Sequence, residues 1–339
     1  MRTRSRWGVP GLVLLGGLVA TIALLSFPLG AVGVHPLRVL QALASGVIGH
    51  DPGLTPIERT VLFEIRLPRI VGAMLVGGGL AAAGASYQSM FRNPLVSPAI
   101  LGVSAGAGFG AALALLFRSP WPIVQTMAFA GGLAAAGLAV GIARLLGGGS
   151  MVVLVLAGVV VSTLFQALIS ITQYLANPID TLPTITFWLM GGLGRIGIGD
   201  LAVPAVILGV SLLALYAVRW QISVLAAGDE EAVTLGVNRR LVWTVVIGAA
   251  TLMTSTAVSL AGIVGWIGLV VPHLARFAVG PAFDRLLPAS VLMGAGLLVL
   301  VDDVARSGTI MELPLGVLTA LIGAPFFVLL LARARKQWL

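Results

Sequence analysis

The 339-residue sequence contains no cysteine and a single lysine, Lys336, close to its C-terminal end. Without cysteine there can be no disulfide, no thiolate metal site and no cysteine nucleophile. A phosphate-binding loop needs a lysine behind a glycine-rich turn to reach the nucleotide phosphates. Lys336 has no such turn before it, so any ATP that drives this chain is expected on a separate subunit, together with its Mg. Charged residues are also scarce, at 9% against 58% hydrophobic, and the mean hydropathy is +1.07. Soluble domains carry about 25% charged residues, and a water-exposed surface cannot be built from so few. Lipid is the expected solvent. The three histidines, His35, His50 and His273, lie far apart, so no metal site is expected. The formal charge of +8 comes from scattered arginines rather than a basic run, which argues against nucleic acid and for membrane topology.

What is present is a series of long apolar runs. A helix needs about 20 apolar residues to cross the hydrocarbon layer. Ten candidate spans lie near residues 8–30, 70–90, 99–117, 121–143, 151–175, 201–218, 241–260, 262–275, 286–304 and 313–332, the eighth short and interrupted by Pro272. The fold class expected is therefore an all-α polytopic membrane protein of about ten transmembrane helices, forming one domain over residues 1–339. Connections 31–69 and 176–200 are long enough to hold short surface helices. The first apolar run exceeds the ~7–15 residues of a signal-peptide core and reads as a membrane helix. With the N-terminus inside, thirteen of the 20 basic residues fall on the cytoplasmic side, so both termini are expected there.

Few ionisable groups fall inside the spans. Ion-coupled carriers place such groups at mid-membrane because a charge there is costly unless it works. Their scarcity disfavours a secondary transporter, which stays as the alternative of a different class. Gly102-Val103-Ser104-Ala105-Gly106 matches a nucleophile-elbow pattern. Gly102, Gly106 and Gly110 nevertheless recur at helical spacing, and a close-packing face is the better reading.

Several stretches carry polar or conformational information. Arg66-Leu67-Pro68-Arg69 is followed by Gly84-Ala85-Ser86-Tyr87-Gln88, Asn93-Pro94-Leu95-Val96-Ser97-Pro98 and Leu101 to Ala107. Phe187-Trp188-Leu189-Met190-Gly191-Gly192 and Gly228-Asp229-Glu230-Glu231-Ala232 come next. Gly268 to His273 with Arg276, Leu313 to Val317 and Gly323 to Phe327 complete the series. Taken by themselves, Arg66 and Arg69 at the mouth of the second span read either as interfacial snorkelling or as carboxylate receivers. Residues 225–241 form the only polar connection of any length on the expected cytoplasmic side. Acids at its start and Arg239 and Arg240 at its end suit helix dipoles, with Ala232, Val233 and Leu235 as an apolar face and Gly236 as a break between two short helices. On pattern alone this stretch also reads as a solvated loop.

In this order and spacing, from about residue 60 to the C-terminus, these motifs resemble the FecCD-type permeases of ABC importers, which carry cobalamin, ferric siderophores or haem. The resemblance implies the type II importer permease fold of ten helices, working as a homodimer or close heterodimer around a central pathway. It implies two ATP-binding cassette subunits and an extracytoplasmic substrate-binding protein as partners, in the cytoplasmic (inner) membrane of a bacterium or archaeon. By resemblance, Arg66, Arg69 and Arg306 receive acidic side chains of the binding protein, although Asp302 and Asp303 also offer Arg306 a local ion pair. Asn93 and Leu95 resemble residues of the cytoplasmic gate. A second gate segment in the family aligns with Gly147-Gly148-Gly149-Ser150-Met151, which is unlike it in composition. Gly228, Asp229, Glu230, Glu231, Ala232, Leu235 and Gly236 resemble the segment that couples to the ATPase. The cargo implied is a metal chelate, with a molybdate- or tungstate-type oxyanion as the alternative. No cofactor is expected on this chain.

Overall fold

The computed structural model describes residues 9–30, 33–48, 53–147, 150–308 and 312–338. Helices dominate it: α1 (Val9–Ser26), α2 (Pro36–Ile48), α3 (Pro56–Arg59), α4 (Leu67–Met90), α5 (Val103–Leu116), α6 (Trp121–Gly147), α7 (Met151–Leu175), α8 (Thr181–Met190), α9 (Ala202–Ala217), α10 (Arg219–Ala227), α11 (Asp229–Thr234), α12 (Arg239–Ala261), α13 (Ile267–Val279), α14 (Phe283–Ser307) and α15 (Leu315–Trp338). Each of the ten predicted spans meets a helix. Among the described residues, six helices qualify by length and apolar composition as membrane-crossing, and five more are shorter apolar helices. The long connections hold α2, α3 and α8, as their length and composition suggested.

The bundle is apolar outside as well as inside. On α7, Val152, Leu156, Val159, Val160 and Leu164 are exposed while Leu154, Ala157, Val161 and Phe165 are buried. A helix that is hydrophobic all round has no face for water, so the exposed side of α7 suits lipid or another membrane helix. At the centre stands α4, packed on α12, α13 and α14 and buried along most of its length. Small residues let the backbones close up: a methyl group added at Gly77 would run into the Gly294 carbonyl, and one at Gly84 into that of Gly268. In lipid, where apolar surface gains nothing by leaving the solvent, this close van der Waals approach is the main adhesive. The glycines of the elbow-like motif do the same work between α5 and α6, Gly106 against Gly131 and Gly110 against the Met127 carbonyl. The packing reading of that motif is the one the structure supports.

Two departures from the expected spans have local causes. The second span begins well before residue 70, because Pro56 to Met90 forms one continuous helical rod. Residues Thr60–Arg66 wind as a wider π-helical turn just before Pro68. Proline has no N–H and crowds the carbonyl four residues back, and a wider turn is one way a helix absorbs that. At the eighth span, residues 262–266 are irregular, Gly262 (φ 68°) and Trp266 (φ 66°) are left-handed, and the helix starts only at Ile267. This non-helical backbone is covered, since Gly262 abuts the Trp188 carbonyl, as membrane-depth irregularity requires.

Candidate functional site

The three arginines singled out by resemblance converge at one end of the bundle. Arg66 closes the π turn and Arg69 lies one turn further on, so both face the same side. Antiparallel to α4, α14 delivers Asp302, Asp303 and Arg306 to the same end, and the end of α1 adds Ser26 and Phe27. The Arg69 Nε donates to both Asp302 oxygens at 2.9 and 2.8 Å, and its Nη1 donates to Glu312 Oε1 at 2.6 Å. Arg306 Nη2 donates to the Ser26 carbonyl and hydroxyl, each at 2.6 Å, and pairs with Asp303. Ser26 in turn donates to Asp303 at 2.5 Å. Arg66 donates to the Phe27 carbonyl, and its guanidinium lies near that of Arg306 beside Gly30.

These arginines do not stand open at a mouth. Arg66, Arg69 and Arg306 are 3%, 5% and 9% exposed, and Asp302 is 1% exposed. Three cations meet three anions, counting Glu312, so within these six groups the formal charges cancel. A buried guanidinium is tolerable only because each cation has carboxylate or carbonyl partners; removing one partner of such a pair costs about 3–5 kcal/mol. The local ion pair anticipated for Arg306 is present, and Arg69 has a stronger one of its own. Glu312, absent from the sequence-based expectations, is the only half-exposed member, with its side chain 54% exposed. Its one cue is position, immediately ahead of the Leu313-Pro314 motif.

At the other end of α4 the chain turns through residues 91–102. Arg92 is left-handed (φ 49°), and the Asn93 side chain accepts a hydrogen bond from Leu95 N at 2.9 Å. This turn presents Asn93 and Leu95 outward, Leu95 at 53% exposure, while Val96 and Pro98 anchor it. Gln88, just before it, donates to the Leu269 carbonyl (3.1 Å) and accepts from Arg276 (3.2 Å). This link ties the end of α4 to α13, and although both residues lie in the recognised motifs, their pairing was not legible there. Gly148 and Gly149 of the second gate segment lie outside the described residues.

The polar stretch 225–241 divides differently from expectation. The break is at Gly228, between α10 and α11, where the Glu231 carboxylate folds over the glycine so closely that a side chain there would collide with it. Gly236 (φ 68°) only ends α11. Arg239 and Arg240 do not close a coupling helix; they open α12 after the Asn238 cap, and Arg239 sits over the Trp243 ring. Glu230, Val233 and Leu235 are exposed on α11 and its end, and Ala232 is buried beneath. The shelf packs on α10, and α10 touches the start of α14, where Phe283 N donates to Ser223. From there to Asp302 the helix spans about 28 Å at 1.5 Å per residue, so α14 joins the shelf to the arginine cluster.

Near the cluster lies a cavity of about 210 Å³ lined by Trp121, Trp188, Gly191, Arg195, Glu312 and Pro314 among others. Arg195 is exposed and lies 5.2 Å above the Trp121 ring. His273 packs edge-on against Phe277 at 4.8 Å. Among the described residues no three His, Asp or Glu side chains are placed to hold a metal.

Comparison with known proteins reaches the same answer by another route. Residues 18–333 match the model of the FecCD transport family. The molybdate import system permease MolB of Haemophilus influenzae is 37% identical over 330 residues, covering 96% of this chain and 95% of that protein. The cobalamin import permease BtuC of Halobacterium salinarum is 43% identical, covering 82% and 75%. A probable iron chelatin permease of Helicobacter pylori is 38% identical, covering 84% and 86%. Among solved structures, an inward-facing metal-chelate type ABC transporter superposes with a TM-score of 0.83 at 35% identity, covering 95% of this chain and 98% of that one.

Proposed function

The chain belongs to the FecCD transport family, the permeases of ABC importers, and from that premise we propose how this one works. Two copies form a homodimer around a central pathway in the inner membrane, with both termini in the cytoplasm. Two ATP-binding cassette subunits, carrying ATP and Mg, dock under the 225–241 segment. An extracytoplasmic binding protein delivers the cargo to the end that carries Arg66, Arg69 and Arg306, which set its register through acidic partners. ATP closes the cassettes against α10 and α11, and α14 relays the movement toward the docking end. The equilibrium between outward and inward states moves only because ATP binds them unequally. Asn93 and Leu95 of the two copies close the pathway at the cytoplasmic side.

The observation that carries this reading is the exposed α11 shelf. Glu230, Val233 and Leu235 offer a mixed polar and apolar exposed face, and that face fits a soluble partner rather than lipid. The cargo is a metal chelate of the iron-siderophore, haem or cobalamin type, on the strength of the chelate-permease relatives. The similarity to the molybdate permease along nearly the whole chain supports an oxyanion as the second reading.

Reconstitution with the cassette and binding-protein partners in sealed vesicles tests both. Uptake of ferric siderophore, haemin, cobalamin or molybdate is expected only with ATP and all partners present. Cargo accumulation without the cassette subunits, abolished by an uncoupler, would replace the importer with a secondary carrier.

A further inference from the structure

Arg69 is held asymmetrically. Its Nε side is locked by Asp302, 1% exposed, whereas its Nη1 side is covered by Glu312, whose side chain is 54% exposed. An incoming carboxylate meets guanidinium groups that already have partners, since Arg69 and Arg306 pair with carboxylates and Arg66 donates to the Phe27 carbonyl. To bind Arg69 it must displace one. Asp302 is deep in the bundle; Glu312 is at the surface, and a partly exposed ion pair shifts an equilibrium by no more than about fivefold. Gly194 lies alongside with no side chain, and a methyl group built there would be 3.1 Å from Glu312 Oε2 and 3.5 Å from Arg69 Nη1.

Glu312 also heads a segment that reaches the cavity. Leu313 N donates to the Ala305 carbonyl at 3.1 Å and Leu315 N to the Gly191 carbonyl at 3.0 Å. Gly316 then presses on the Met190 and Ile263 carbonyls. Glu312, Leu313 and Pro314 line the cavity opposite Trp121 and Arg195.

We propose that Glu312 is an intramolecular stand-in for the docking partner: it occupies, on Arg69, the place that an acidic side chain of the binding protein takes on docking, and its release loosens the 312–316 segment at the cavity rim. This rests on the docking role of Arg69 and deepens it.

The test is binding-protein affinity to the permease–cassette complex in lipid nanodiscs, with assembly followed by size-exclusion chromatography. Removing the competing charge with Glu312→Gln should tighten binding about two- to fivefold and raise the basal ATP turnover. Glu312→Asp, which keeps the charge on a shorter arm, should fall between the two. Unchanged or weakened affinity in both assembled variants would overturn the proposal. Arg69→Ala separates the two readings: if it abolishes docking while Glu312→Gln changes nothing, only the stand-in role is lost. If Arg69→Ala binds as tightly as the parent, the docking role falls and the stand-in role with it.

Discussion

Arg69 and Asp302, 233 residues apart in the chain, share a two-point hydrogen bond in which the Nε donates to both carboxylate oxygens at 2.9 and 2.8 Å. It joins the first turn of α4 to the last turns of α14 in surroundings where both side chains are almost wholly buried. Asp302→Ala would strand Arg69 beside Glu312 alone. Loss of about 3–5 kcal/mol is expected, read as a lowered Tm in detergent. The apolar pair Arg69→Met with Asp302→Leu should recover most of it, since a buried ion pair replaced whole costs little. Equal losses in the single and double variants would contradict this account of the bond.

Gly77 and Gly294 approach so closely that each would place a methyl group against the other's carbonyl oxygen. Gly77→Ala should therefore push α4 and α14 apart and cost about 1–3 kcal/mol. Gly137→Ala, with nothing within 4 Å, should leave the Tm unchanged or slightly raised. A glycine series that fails to separate these two positions would remove close backbone packing as the cause.

Val233 and Leu235 are 78% and 56% exposed on the α11 shelf. Replacing both with aspartate should leave the permease folded, because neither packs in the bundle, yet prevent recovery of the cassette subunits on co-purification. Intact assembly with full ATP-driven uptake would assign the coupling contact elsewhere.

Gln88 bridges the Leu269 carbonyl and Arg276 just before the outward-facing turn. Gln88→Leu leaves both without that partner, and an unpaired buried polar group costs about 1–3 kcal/mol. The gate turn should loosen with it, so passive efflux of cargo from vesicles without ATP should rise. Glutamate at the same position, which still accepts from Arg276, should leak less than leucine.

Each apolar run read from the sequence meets a helix, because the hydropathy and length that fit a helix to lipid are local properties. The motif series named the family for the same reason: it preserves order and spacing along the chain. Boundaries were less legible where backbone geometry competes. The second span begins at Pro56 rather than near 70, since a π turn carries the chain past Pro68. The polar shelf breaks at Gly228, where the extended backbone separates α10 from α11, while Gly236 ends α11. Glu312 had no sequence cue beyond its place ahead of Leu313-Pro314; its importance lies in meeting Arg69, 243 residues away.

Composition and hydropathy by themselves determined that this chain lives in lipid as a helical bundle, and one without lysine where a nucleotide-binding loop would need it. Only the tertiary structure decided that the docking-type arginines are neutralised and covered, because whether a guanidinium is free depends on which distant carboxylates the packed helices bring to it. Hydropathy is a sum over neighbours in the chain, whereas charge pairing is a property of neighbours in space.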